Sequence, residues 1–190
     1  IEKHPEVAPL FNILGFALHK QGNLKKAETN FKHAISINPK FAFAHNNLGN
    51  VFKDLGRFEE AILKYQNAIE IKSNYAEAYY NKAIAYKKIS KYMESIKSFQ
   101  DALKIKPDFL DAYFDLGQVC ITVGKFEDAI ENFQKVIKLK PDFSLAYNNI
   151  FFTLMYMKKN NHDLFLSLTK NFRNSLKKVD QNLLTKYQFE

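Results

Sequence analysis

The sequence predicts an all-α fold built from repeated antiparallel helix pairs, and three observations support this prediction. The chain of 190 residues contains only six Gly and five Pro, fewer than a turn-rich β fold needs. Most of these residues recur with a period of 34, and apolar residues between them fall at helical spacing. The glycines form two series, Gly15, Gly49 and Gly117, and Gly22, Gly56 and Gly124.

Each 34-residue unit reads as two helices joined by a short turn. The units begin at Ala8, Ala42, Ala76, Leu110 and Ser144. Positions 4, 7, 8 and 11 of a unit share one face of its first helix, and positions 20, 24 and 27 share one face of its second. Small residues at positions 8, 20 and 27 allow close approach of the two helices, and large ones at 4, 7 and 24 fill the space between them.

Glycine and proline residues mark the ends of the predicted helices. A glycine after the first helix suits a backbone of positive φ, and a proline after the second helix stops it, at Pro39, Pro107 and Pro141. The third unit departs from the pattern, and we expect it to pack least well. Its departures are Lys82, Ser90 and Ser95, and Ser73 replaces the proline expected just before it.

This pattern resembles the tetratricopeptide repeat (TPR) over residues 8–157. The resemblance implies a right-handed TPR superhelix, an α-solenoid of antiparallel helix pairs, which we expect to end in a C-terminal capping helix. The expected divisions are the end of a preceding repeat at 1–7, full repeats at 8–41, 42–75, 76–109 and 110–143, the first helix of a partial fifth repeat at 144–157, and a loop, capping helix and linker at 158–190.

The capping helix is predicted from the residues that follow the last repeat. Asp163 is a candidate N-cap. The apolar residues after it recur at helical spacing and are Leu164, Phe165, Leu168, Phe172, Leu176 and Val179.

Composition argues against several classes of protein. A single cysteine, Cys120, cannot form an internal disulfide, and no apolar run is long enough to span a bilayer, so we expect a cytoplasmic protein without a membrane segment. The net charge of +8 is divided equally between residues 1–157 and 158–190, and over the repeats Lys and Glu interleave as on a solvated surface. A basic cluster in the tail favours a solubilising face, with phosphate contact as the alternative; it consists of Lys158, Lys159, Lys170, Arg173, Lys177 and Lys178.

No group of residues predicts catalysis, a metal or a cofactor. The glycines do not form a phosphate-binding loop, and the histidines lack the spacing of metal ligands. Cys120 falls at a packing position, which predicts an inert buried thiol. The acidic pairs Glu59–Glu60 and Glu127–Asp128 fall in the first turn of a second helix, where acids interact favourably with the helix dipole.

The resemblance implies that positions 2, 5, 6, 9, 12 and 13 of each repeat line the concave face. Amides recur there, and a side-chain amide can both donate to and accept from the backbone of an extended peptide. The same amides could instead hydrogen-bond between neighbouring helices. The predicted partner-binding residues are Asn12, Asn46, Asn47, Asn50, Tyr80, Asn81, Asp115, Gln118, Asn148 and Asn149.

Two segments, 41–53 and 145–156, resemble a narrower family. They are similar to the repeats of O-GlcNAc transferase and SPINDLY-type glycosyltransferases, in which the TPR arm recruits protein substrates or partners. The resemblance implies an arm without its catalytic domain, which binds a protein or peptide segment or its own downstream catalytic domain. The alternative is a stand-alone scaffold for assembling a complex. We expect no nucleic-acid partner, and the sequence leaves self-association open.

Overall fold

The structure, a computed structural model, describes residues 7–157, 163 and 166–174. These residues are helical apart from short turns, and they include no strand. The chain divides into two compact units, Ile1–Pro107 and Asp108–Glu190, called unit 1 and unit 2 below.

Unit 1 contains three helix pairs. Their helices are α1 (Ala8–Lys20), α2 (Leu24–Ile37), α3 (Ala42–Asp54), α4 (Phe58–Ile71), α5 (Ala76–Lys88) and α6 (Tyr92–Ile105). Each first helix packs on its own second helix, and α2 and α4 also pack on the first helix that follows them.

Unit 2 contains a further pair and a ninth helix. These are α7 (Leu110–Thr122), α8 (Phe126–Leu139) and α9 (Ser144–Tyr156). The helix α8 packs on both α7 and α9. The predicted class, an all-α solenoid of antiparallel helix pairs with a C-terminal capping helix, is confirmed for the described residues.

Glycine at position 8 allows the helices of a pair to touch. A Cβ atom on Gly49 would lie 2.6 Å from Cε1 of Tyr65, whose side chain is fully buried. The same close approach joins Gly15 to Phe31 and Gly117 to Phe133. An aromatic ring of the second helix therefore rests directly on the backbone of the first.

The turn after the first helix adopts a left-handed backbone. Gly56 has a φ of +76°, a conformation that glycine adopts without steric penalty. In the third pair Ser90 takes this place with a φ of 59°. A side chain in this conformation costs about 1–2 kcal/mol, so Ser90 is a local source of strain in the third pair.

Two other departures of the third pair are satisfied by hydrogen bonds. The Lys82 ammonium donates to Oε1 of Gln66 at 2.9 Å and lies 5.3 Å from the ring centre of Tyr79. Burial lowers the pKa of Lys82. The buried hydroxyl of Ser95 donates to the carbonyl oxygen of Ala83 at 2.8 Å. Weaker packing of this repeat stays a prediction.

The last part of the chain contributes a helix that packs on α9. Residues 166–174 are helical, the ring centres of Phe172 and Tyr147 lie 4.8 Å apart, and Leu168 is buried. Asp163 is helical. The other residues predicted for this helix, Leu164, Phe165, Leu176 and Val179, lie outside the described residues.

Candidate partner-binding face

The A-helix face is defined here as positions 2, 5, 6, 9, 12 and 13 of the first helices. In unit 1 these helices are α1, α3 and α5, and consecutive ones contact each other. In unit 2 they are α7 and α9. All ten residues predicted to bind a partner fall on this face, and each unit is described by itself.

In unit 1 the asparagines pair across neighbouring helices. Nδ2 of Asn47 donates to Oδ1 of Asn12 at 3.0 Å, and Nδ2 of Asn81 donates to Oδ1 of Asn46 at 3.0 Å. Position 6 of one repeat is thus bonded to position 5 of the repeat before it. Part of the hydrogen-bonding capacity of each amide is therefore used between neighbouring helices, as the alternative interpretation predicts. These bonds also fix the orientation of the amide groups.

Two of the predicted contact residues serve the interior. Asn46 is only 5% exposed, so the prediction that a partner contacts it is corrected. Oδ1 of half-buried Asn50 accepts a hydrogen bond from the Tyr65 hydroxyl at 2.8 Å. Burial raises the pKa of Tyr65, so this hydroxyl stays protonated and keeps donating. Asn50 therefore helps to hold the ring that packs on Gly49.

The remaining predicted residues differ in exposure. Tyr80, on α5, is half-buried with its ring centre 5.7 Å from that of Phe99. In unit 2, Asn148 is exposed, and half-buried Asn149 donates from Nδ2 to the carbonyl oxygen of Leu145 at 2.8 Å. Asp115 and Gln118 are half-buried on α7. Asn149 therefore bonds within its own helix, whereas Asn47 and Asn81 of unit 1 bond to the first helix before theirs.

A histidine–aspartate contact on the face of unit 1 was not predicted. Nε2 of His19 lies 2.7 Å from Oδ2 of Asp54, at positions 12 and 13 of adjacent first helices. The same lining positions that predicted the amides would have indicated this pair, because positions 12 and 13 of neighbouring first helices lie on the same face.

A second feature that was not predicted is the apolar surface of α9. Leu145, Phe152, Met155 and Tyr156 are 54% to 81% exposed. The ring of Tyr156 stacks on Phe126 with centres 6.3 Å apart and an angle of 16° between the planes. Positions 12 and 13 of α3 and α5 are charged, whereas α9 carries Met155 and Tyr156 there. The sequence of the fifth unit at positions 12 and 13 would have indicated Met155 and Tyr156 as apolar residues of this face.

The described residues offer little for catalysis. They include no cluster of three or more His, Cys, Asp or Glu that could hold a metal ion. Cys120 is buried, and burial raises the pKa of its thiol to about 11, which favours the unreactive thiol form. The acidic pairs Glu59–Glu60 and Glu127–Asp128 lie in the first turns of α4 and α8, as predicted. No helix in this part of the chain is long and apolar enough to cross a membrane.

Comparison with known families identifies the repeat. The family model described as TPR repeat matches residues 15–56 and 49–90, and the model described as tetratricopeptide repeat matches residues 76–109 and 110–143. The chain belongs to the tetratricopeptide-repeat family. No curated protein matches the sequence.

Solved TPR structures share the fold. A crystal structure of MamA is 26% identical, with a TM-score of 0.75 over 89% of this chain and 96% of MamA. YrrB, described as a TPR protein with an unusual peptide-binding site, is 20% identical, with a TM-score of 0.73 over 92% of this chain and 89% of YrrB. The first TPR of Spaghetti (RPAP3), bound to the HSP90 peptide SRMEEVD, is 19% identical, with a TM-score of 0.63 over 65% of this chain and 98% of that one.

Proposed function

We propose that the chain is a protein-interaction module whose A-helix face binds an extended segment of a partner protein. The observation that carries this proposal is the pair of amide contacts, Asn12–Asn47 and Asn46–Asn81, which orient side-chain amides along that face of unit 1. The peptide-binding site of YrrB and the HSP90 peptide bound to the first TPR of RPAP3 support the same use of the fold.

The oriented amides suit recognition of a peptide backbone. An amide that donates one N–H to its neighbour retains a second N–H and an oxygen with two lone pairs. Half-buried Asn47 and Asn81 can offer these groups to a backbone of any sequence. Half-buried Asn12, which accepts from Asn47, keeps both N–H donors and one lone pair for the same purpose. Each such bond contributes about 0.5–1.5 kcal/mol net, so useful affinity requires several repeats. The exposed rings of Phe16 and Phe43, on the same face, would contact side chains of the segment.

A selected peptide and two sets of asparagine substitutions test this proposal. Peptides that bind the full chain are selected from a random library, and their Kd is measured for the wild type and for the triple variant Asn47→Ala, Asn81→Ala, Asn149→Ala. We expect the Kd to rise at least about tenfold, which corresponds to about 1.4 kcal/mol.

The matched control removes three asparagines from the second helices. In Asn30→Ala, Asn67→Ala, Asn132→Ala we expect an unchanged Kd, because these residues lie on α2, α4 and α8 rather than on the A-helix face. Unfolding by urea is followed in both variants. A triple variant that loses stability while its Kd matches that of the control would show the row to be structural, and the proposal would be abandoned.

We also propose a narrower role on the basis of residues 145–156, whose sequence resembles O-GlcNAc-transferase-like enzymes: the module would be their partner-recruiting arm. The comparisons lend this role no support, and the stand-alone scaffold remains its alternative. The coding sequence decides between them, since the arm requires a nucleotide-sugar-binding domain in the same polypeptide.

A further inference from the structure

The A-helix face of unit 2 carries an exposed apolar patch, called the α9 patch below and made of Leu145, Phe152, Met155 and Tyr156. Clustered exposure of large apolar side chains marks interaction sites on proteins. The stacking of Tyr156 on Phe126 holds one ring of the patch in place while it remains 71% exposed. The patch thus combines a positioned ring with Met155, whose unbranched side chain adapts to different shapes.

The charged residues at the A-helix face positions of unit 2 all carry the same sign. Asp111 and Asp115, both on α7, are the only charged residues at the A-helix face positions of unit 2 as far as the structure describes it. Lysines occupy the corresponding face in unit 1, at Lys20, Lys53 and Lys87 among others. A chain with a net charge of +8 therefore has an acidic, apolar face in unit 2.

We infer that the α9 patch binds a segment of a partner protein that combines large apolar side chains with Lys or Arg. This inference rests on the proposed function and specifies the chemistry of its ligand. The apolar side chains would pack among Phe152, Met155 and Tyr156, where a few large contacts contribute most of the binding energy. The cation would pair with exposed Asp111 or lie over the ring of Tyr156.

Three synthetic peptides of equal length test the ligand chemistry on the full chain. One alternates Leu and Arg, the second replaces each Arg by Glu, and the third replaces each Leu by Ser. We expect the Leu–Arg peptide to bind at least about tenfold more tightly than either of the others, a difference of about 1.4 kcal/mol. Equal or tighter binding of the Leu–Glu or Ser–Arg peptide would overturn the inference, and so would no binding by any of the three.

Substitutions assign the binding to the patch. We expect Phe152→Ser with Met155→Ser to weaken binding of the Leu–Arg peptide at least about tenfold, and Asp111→Lys to weaken it while sparing the Leu–Glu peptide. The control pair is Leu63→Ser with Met93→Ser, which removes side chains that are 56% and 60% exposed on α4 and α6. Equal losses in the patch variant and the control pair would contradict the assignment.

The outcomes separate this inference from the proposed function. If the patch variants leave binding of selected library peptides unchanged while the triple asparagine variant weakens it, the proposed function stands and the inference fails. If the chain itself dimerises in sedimentation and the Phe152→Ser, Met155→Ser variant is monomeric, the patch is occupied by a second copy, which also overturns the inference.

Discussion

His45 fills a buried position that Tyr147 fills three repeats later. Nε2 of His45 lies 2.9 Å from the carbonyl oxygen of Pro39, and the Tyr147 hydroxyl donates to that of Pro141 at 3.1 Å. Nδ1 of His45 is buried without a hydrogen-bond partner. Burial lowers the pKa of His45, the charge of Lys64 lowers it further, and the bond to Pro39 acts in the opposite direction.

We therefore expect the free energy of unfolding to depend on His45 in mildly acidic solution. Above the ordinary histidine pKa of 6.5 the side chain is neutral in both states. Below it the unfolded chain takes up a proton that the folded chain resists until its own lower pKa is reached, so stability falls as the pH falls. Urea unfolding at pH 7.5 and pH 5 measures the loss.

The variant His45→Tyr is the control for this prediction. It places at position 4 the residue that Tyr79, Tyr113 and Tyr147 already provide there. The variant should lose less stability than the wild type between the two pH values, because its hydroxyl does not titrate in this range. An equal loss in both proteins would assign the acid sensitivity to other groups.

Residue types and spacing predicted the buried residues better than the surface contacts. The burial of Cys120 and the positive φ of Gly56 follow from their places in the repeat, and the structure confirms both. The Asn12–Asn47 bond and the burial of Asn46 depend on how far adjacent first helices are apart and on how each amide is turned. A 34-residue period specifies neither the distance between adjacent first helices nor the orientation of an amide group.

Among the helices, the pair α5 and α6 departs most from the repeat. Ser90 holds a left-handed backbone between the two helices, and Lys82 occupies the position that Leu48 fills in α3. Hydrogen bonds to Gln66 and Ala83 satisfy the polar groups of Lys82 and Ser95 but do not relieve the strain at Ser90. The helix boundaries nevertheless follow the period, since α5 begins at Ala76 as the spacing predicts.

We expect amides of α5 and α6 to exchange hydrogen through openings of lower free energy than amides of α3 and α4. The variant Ser90→Gly should raise protection in α5 and α6 by about 1 kcal/mol, because glycine adopts this φ without a steric penalty. Native-state hydrogen exchange measures both quantities. Ser73→Gly, at an exposed position without positive φ, is the control and should give no gain.

Protection in α5 and α6 that equals or exceeds that of α3 and α4 would contradict the prediction about the third pair. A gain of the same size in Ser73→Gly would show that the effect of Ser90→Gly does not arise from its backbone conformation.

At the scale of the whole molecule, a solenoid must cover the apolar side of its last repeat. Residues 166–174 contribute to this cover in unit 2, where Phe172 packs on Tyr147 and Leu168 is buried. A helix at the end of the stack was predicted from helical spacing alone. Its partner Tyr147 was not, because the spacing does not say which residue of α9 it contacts.

The variant Leu168→Ala should destabilise the protein by about 2–5 kcal/mol, the usual cost of removing a buried leucine side chain. Leu166→Ala, on the same helix but 52% exposed, should change stability far less. Urea denaturation monitored by circular dichroism compares the two variants. Similar losses in both would show that this helix does not cover the end of the solenoid.

The contact between an aromatic ring and a glycine has a consequence for how the chain forms during synthesis. Gly49 and Tyr65 lie sixteen residues apart, and Gly15–Phe31 and Gly117–Phe133 repeat that separation. Contacts between residues so near in sequence close small loops and form quickly. On a ribosome, the two ends of each such contact emerge within seconds of each other. Helix pairs can thus begin to assemble from the amino terminus onward, and α2, α4 and α8 each provide the surface on which the next first helix docks.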